Sequence, residues 1–181
     1  MQAVDAESGD RMKAKIPFDG ENFRVRIVSR AVREVQQNFE IVQRPLIALC
    51  IPYTRDGQVL LLSQYRAAID DTSLEFPAGR VTSTEDSRSA VRRELLEEIG
   101  FVTDSIEHVG SLQTAPHFSD ERVDVFVAKG HVTQPPTPTA KEDAIKVVIV
   151  PKRVIYDLIR DGRLVDAKSI AAFSQAAARS A

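Results

Sequence analysis

Apolar and polar residues alternate twice early in the chain, over residues 23–32 and 35–42, with Val25, Ile27, Phe39 and Ile41 at apolar positions. A period of two predicts half-buried antiparallel strands, here a hairpin-like N-terminal sheet. Denser apolar runs follow in LIALCIPY (46–53) and QVLLLSQYR (58–66), read as core strands joined through an Asp56-Gly57 turn. SLEFP (73–77) predicts a further short strand, and others are expected at 106–113, 122–128 and 144–150. The period changes in the middle of the chain. Ala90, Val91, Leu95 and Ile99 mark one side of a helix that Gly100 ends in the left-handed C′ position. Ser83-Thr84-Glu85-Asp86 offers a hydroxyl cap and favourable acidic charge at its start. Pro151 and Gly162 bracket a second helix, and a third is expected over 167–178. Residues 1–22 read as a polar leader ordered only near Phe23, and 130–143, with three prolines, as a long surface loop. Strands to either side of a central helix, with helices at the end, predict an α/β sandwich of mixed sheets. Residues 1–44 form its N-terminal antiparallel strand subdomain and 45–181 its main domain.

Composition narrows the choice of partner. With 181 residues, 43% of them hydrophobic, the chain suits one globular domain with a substantial core. A net charge of -2 gives no electrostatic footprint for a nucleic-acid backbone or an anionic membrane, so neither is expected as a partner. Cys50, the single cysteine, allows no intramolecular disulfide and reads as a buried, inert thiol in a reducing compartment. The N-terminal stretch lacks an apolar signal region, and the run at 46–51 is too short to cross a bilayer. A soluble cytoplasmic protein is expected.

The chemistry gathers in RRELLEEIG. Glu94, Glu97 and Glu98 stand at i, i+3 and i+4, which puts three carboxylates on one helix face within a turn. Like charges so placed destabilise an isolated helix, and a divalent cation is the natural compensation. Oxygen-only donors select a hard cation, Mg²⁺ or Mn²⁺, over zinc. A plain solvated acidic face is the ordinary reading of a charge run. Against it stands the coincidence of Gly79, Glu85, Arg93, Gly100 and the apolar positions at fixed spacing.

That spacing, from GRVTSTE to EEIGF, fills the constrained positions of the Nudix box, and the chain resembles a Nudix hydrolase. The resemblance implies an α/β/α fold. It also implies that Glu94, Glu97 and Glu98, with the carbonyl of Ala78, hold the metal, and that Glu85 either ligates through water or pairs with Arg93. Arg93 would hold the Glu97 carboxylate in place, an effect that overlaps with an ordinary helix salt bridge.

Outside the box, QYRAAIDDTSLEFPAGRV is similar to the stretch before the box in ADP-ribose pyrophosphatases and other nucleoside diphosphate sugar hydrolases. Pro116, 16 residues beyond Gly100, stands where that branch places a proline, and Phe118 replaces the tyrosine of dinucleoside polyphosphate hydrolases. The resemblance implies that Arg66 faces the diphosphate and Glu75 the nucleoside or its sugar, against the alternative of a strand-end salt bridge for each. It brings Glu121 near the metals and Arg44 and Phe39 to the base from a dimer partner. The water-activating carboxylate would be Glu142 or Asp143 on the proline-rich loop, with Glu98 as the alternative. His117 lies near the presumed site, though a loop histidine is more often solvated. The expected protein is a homodimeric, Mg²⁺-dependent hydrolase of ADP-ribose or a related nucleotide sugar. GDP-mannose is an alternative substrate, and a non-catalytic nucleotide- or RNA-binding module is the alternative of another class.

Overall fold

The expected tight turns and alternating strands recur in a computed structural model, which describes residues 15–133 and 145–179. Among these, 15–44 and 115–120 form one unit and the remainder forms another. The first unit is a three-stranded antiparallel sheet in the order β1 (Lys15–Asp19), β2 (Arg24–Val32), β3 (Val35–Gln43). Arg33 and Glu34 turn β2 into β3 with positive φ at both positions, the backbone twist that a two-residue hairpin demands. Order begins earlier than the leader's polarity suggested, because β1 gains backbone partners from β2 through Lys15↔Ile27 and Phe18↔Val25.

The second unit is built on a mixed seven-stranded sheet. Its path runs β10 (Lys146–Pro151), β5 (Gln58–Arg66), β4 (Ile47–Thr54), β9 (Arg122–Val132), β8 (Phe101–Gln113). Strand β6 (Asp71–Glu75) pairs with β5, and β7 (Ala78–Arg80) with β4. Only β4 and β9 run parallel among the named pairs. Strand alternation then splits the core in two. Ile47, Leu49, Ile51, Val59 and Leu61 face the helices α2 (Lys152–Arg160) and α3 (Ala167–Arg179), through Ile155, Leu158 and Phe173. Ala48, Cys50, Leu60 and Leu62 face α1 (Ser87–Ile99), through Ala90, Val91, Leu95 and Ile99. The result is the expected α/β sandwich of mixed sheets. Cys50 lies buried in it, and burial pushes its thiol far above the usual range, as an inert thiol requires.

Both ends of α1 are fixed locally. A carboxylate, not a hydroxyl, caps the start: Asp86 accepts a hydrogen bond of 2.7 Å from the Ser89 amide. An ionised acceptor beside the positive end of the helix serves better than the hydroxyls before it, and Asp86 lies correspondingly below the usual carboxylate range, chiefly through the Ser89 amide. At the other end Gly100, with φ of 61°, takes the left-handed turn and returns its amide to Leu96. Among the described residues no helix is long and apolar enough to cross a membrane.

Candidate active site

Arg93 is the hub of the acidic face of α1. Its Nε and Nη2 donate to the two oxygens of Glu85 at 3.2 and 2.8 Å. Its Nη1 donates to Glu94 Oε1 at 2.8 Å and to Glu97 Oε2 at 3.1 Å, and Nη2 also reaches the Arg80 carbonyl. One planar guanidinium therefore spans three carboxylates, as its rigid fork of donors allows. Of the two roles open to Glu85, the geometry is that of the Arg93 partner, with the Thr82 amide adding a third hydrogen bond. These contacts, led by Arg93, hold the Glu85 carboxyl down to about 2. The stability so gained is complete above the ordinary value of 4.5 and is lost as pH falls through about 2. Glu85→Gln is therefore expected to flatten the acid limb of the stability curve in that window, read as urea midpoints between about pH 5 and pH 2.

Glycine 79 explains where Glu94 sits. A Cβ built at Gly79 would fall 1.8 Å from Glu94 Oε1 and 1.9 Å from its carboxyl carbon. The Glu94 carboxyl thus occupies the space that a side chain would need, directly against the backbone that follows Ala78. Burial pushes this carboxyl above its usual range, against the pull of Arg93. A half-buried oxygen donor lying on a backbone segment, with two further carboxylates along the same helix, suits a hard divalent cation. Among the described residues no three His, Cys, Asp or Glu side chains form a ready-made cluster for one. Arg93 takes one oxygen from each of Glu94 and Glu97.

Arg66 and Glu75 meet across the β5–β6 pair. Arg66 Nε and Nη2 fork onto the two oxygens of Glu75 at 2.8 and 2.5 Å. Glu75 is only 4% exposed, while the Arg66 side chain is 45% exposed. Glu75, then the charges of Glu98 and Asp166, hold Arg66 firmly protonated. Here the salt bridge weighed as the ordinary alternative is present, and it buries the acid while leaving the base accessible.

Glu121 accepts from the Thr114 hydroxyl at 2.8 Å, closing the mouth of the β8–β9 hairpin. In the first unit, Pro116, His117 and Phe118 line a cleft of about 290 Å³ with Phe39 and Arg30. Arg44 is held beside it by its amide, which donates to Asp120 Oδ1 at 2.9 Å. Glu142 and Asp143 lie outside the described residues. One residue escaped the sequence reading: Asp124, 6% exposed in β9, accepts from Ser87 and Ser111 at 2.7 Å each and from Arg122. Burial works to raise its carboxyl, but the two hydroxyls and the guanidinium hold it below the usual range. It ties the first residue of α1 to the sheet. The signal was a lone acid in the run 123–128, apolar at its other positions.

Comparison with known proteins bears on the family and the fold. A family model described as NUDIX domain matches residues 43–173. A methanol dehydrogenase activator from Bacillus methanolicus is 30% identical over 134 residues, covering 74% of this chain and 72% of its own. An ADP-ribose pyrophosphatase from Bacillus subtilis is 28% identical, over 72% of this chain and 71% of its own. A GDP-mannose pyrophosphatase from Yersinia enterocolitica is 31% identical over 75% of each. The crystal structure of an ADP compounds hydrolase superposes with a TM-score of 0.76, covering 93% of this chain and 95% of its own at 21% identity.

Proposed function

The chain belongs to the NUDIX domain family and is a pyrophosphohydrolase, and on that premise we propose that it splits the diphosphate of ADP-ribose or a related nucleoside diphosphate sugar. Water adds to one phosphorus, the bridging P–O bond breaks, and a nucleoside monophosphate and a sugar phosphate leave. The reading is carried by the acidic face of α1, where Glu94 lies on the backbone at Gly79 and Arg93 holds Glu94 and Glu97. Glu94, Glu97 and Glu98, with the Ala78 carbonyl, would hold Mg²⁺, for which Mn²⁺ is a substitute. When bound, such an ion neutralises diphosphate charge and acidifies a water.

The chain's own residues supply the rest. Arg66 keeps Nη1 outside its fork with Glu75, and this donor is assigned to the diphosphate. Glu75, fixed by that fork, is assigned to the nucleoside or its sugar. Glu142 or Asp143 takes the proton of the attacking water, with Glu98 as the alternative base. Phe39 and Arg44, contributed by a second copy of the chain, are assigned to the base, Pro116 to substrate binding, and Glu121 to the neighbourhood of the metal. Phosphatase-coupled phosphate release with Mg²⁺, across ADP-ribose, GDP-mannose, UDP-glucose and dinucleoside polyphosphates, tests the reading. Release from a nucleotide sugar is expected, and none from any of them overturns it.

A homodimer completes the proposal. The three-stranded sheet exposes Phe18 at 49%, Val35 at 58% and Phe39 at 36%, apolar area that a second copy would cover. Light scattering should then return twice the 20.0 kDa chain mass. A single-chain mass at working concentration would remove the dimer.

A further inference from the structure

The stretch that carries Glu75, Ala78 and Gly79 changes neighbours partway along. Glu75 pairs with Leu62 on β5, whereas Ala78 and Gly79 pair with Leu49 and Ala48 on β4. Between them lie Phe76 and Pro77. Pro77 has no amide to satisfy, and its carbonyl accepts from the Cys50 amide at 2.9 Å. Phe76 does have one, and it is buried at a residue 1% exposed. A buried amide without a partner is among the costliest omissions in a fold.

The partner comes from the far face of the sheet. The Phe76 amide donates to Ser169 Oγ at 2.9 Å. Ser169, fully buried in the first turn of α3, donates its own hydroxyl to Asp166 Oδ2 at 2.7 Å. The same oxygen takes the Ser169 amide at 2.9 Å, while Lys168 holds Oδ1 at 2.7 Å. The hydroxyl is thereby oriented, with its proton committed to Asp166 and a lone pair presented to Phe76. One turn on, the ring of Phe173 stacks on that of Phe76 with centroids 6.3 Å apart. A second link reaches the same place, since the Asp166 charge bears on Arg66, the partner of Glu75.

We propose that Ser169, oriented by Asp166, is a positioning residue for the active site: it sets the spacing between Glu75 on one side of the crossover and the Ala78–Gly79 backbone, with the Glu94 carboxyl lying on it, on the other. The proposal rests on the assignment of those residues to substrate and metal. α3 thus acts on the site through the strand, without touching the reacting atoms.

The test compares Ser169→Ala with Ala172→Gly, a change at another fully buried position of α3 that weakens the helix but leaves the Phe76 hydrogen bond intact. Mn²⁺ binding is followed by the loss of its free electron-paramagnetic-resonance signal, at a temperature where both variants retain native circular dichroism. Ser169→Ala is expected to bind Mn²⁺ about tenfold more weakly than the parent, and Ala172→Gly as the parent does. Binding unchanged in Ser169→Ala, or weakened equally in both variants, overturns the proposal, as does a parent that binds no Mn²⁺. A parent that shows this Mn²⁺ pattern yet releases no phosphate from any nucleotide sugar overturns the proposed reaction and leaves the positioning role standing.

Discussion

Glu97→Gln is expected to lower kcat by about 10²–10³-fold while leaving the circular dichroism spectrum and the melting temperature nearly unchanged. The two halves of that statement separate function from structure. The Glu97 side chain is 56% exposed, and its contact with Arg93 is an i, i+4 helix pair. Pairs of that kind contribute about 0.3–0.5 kcal/mol, too little to unfold anything. A plain surface salt bridge would therefore predict an active variant. Loss of turnover without loss of fold requires a carboxylate that works only when substrate and ion are bound. Glu98→Gln should behave alike. Parental turnover in both variants would remove the metal role from this helix face.

Gly79→Ala is expected to reduce kcat by a similar factor and to raise the Mg²⁺ concentration needed for half-maximal rate. Its added Cβ would stand 1.8 Å from Glu94 Oε1 and 2.5 Å from Cγ, so the glutamate must move. A side-chain end can swing away at small cost to stability, which makes the change mild for the fold. The carboxyl, however, cannot return to the place that it now fills. Steady-state rates over a magnesium series check this. An alanine variant with parental rate and parental magnesium dependence would show that Glu94 is not needed at that spot.

The sandwich was legible because period and burial agree along its core strands: odd positions of β4 face α2 and α3, even positions face α1. The helix end at Gly100 was legible for a different reason, since few residues but glycine suit that backbone turn. Strand β1 was not legible. Its five residues are all exposed, so nothing in their pattern reports burial, and only the pairing with β2 makes them a strand. Strand β8 also begins five residues before its apolar alternation became evident, because its register shifts near Ser105 and Gly110 break the period of two. In the site, the glutamates could be placed on one face from spacing alone. The hydrogen bond from the Phe76 amide to Ser169 could not, since 93 residues separate its partners and only the packing of α3 brings them together.

Arg93 has a consequence for how the site waits. With Glu85, Glu94 and Glu97 ionised, its single positive charge against three negative ones leaves a residue of two. That excess, with the Glu98 carboxylate on the same helix beside it, is what a divalent ion would offset under the proposed metal role. The guanidinium keeps the glutamates from driving one another apart during folding, yet it does not neutralise them. Under the proposed metal role, the polypeptide is then expected to reach its native state with no ion to template it, and loading to be an equilibrium superposed on a finished fold. Chelation should then act as a reversible switch on such a molecule, silencing it without unfolding it.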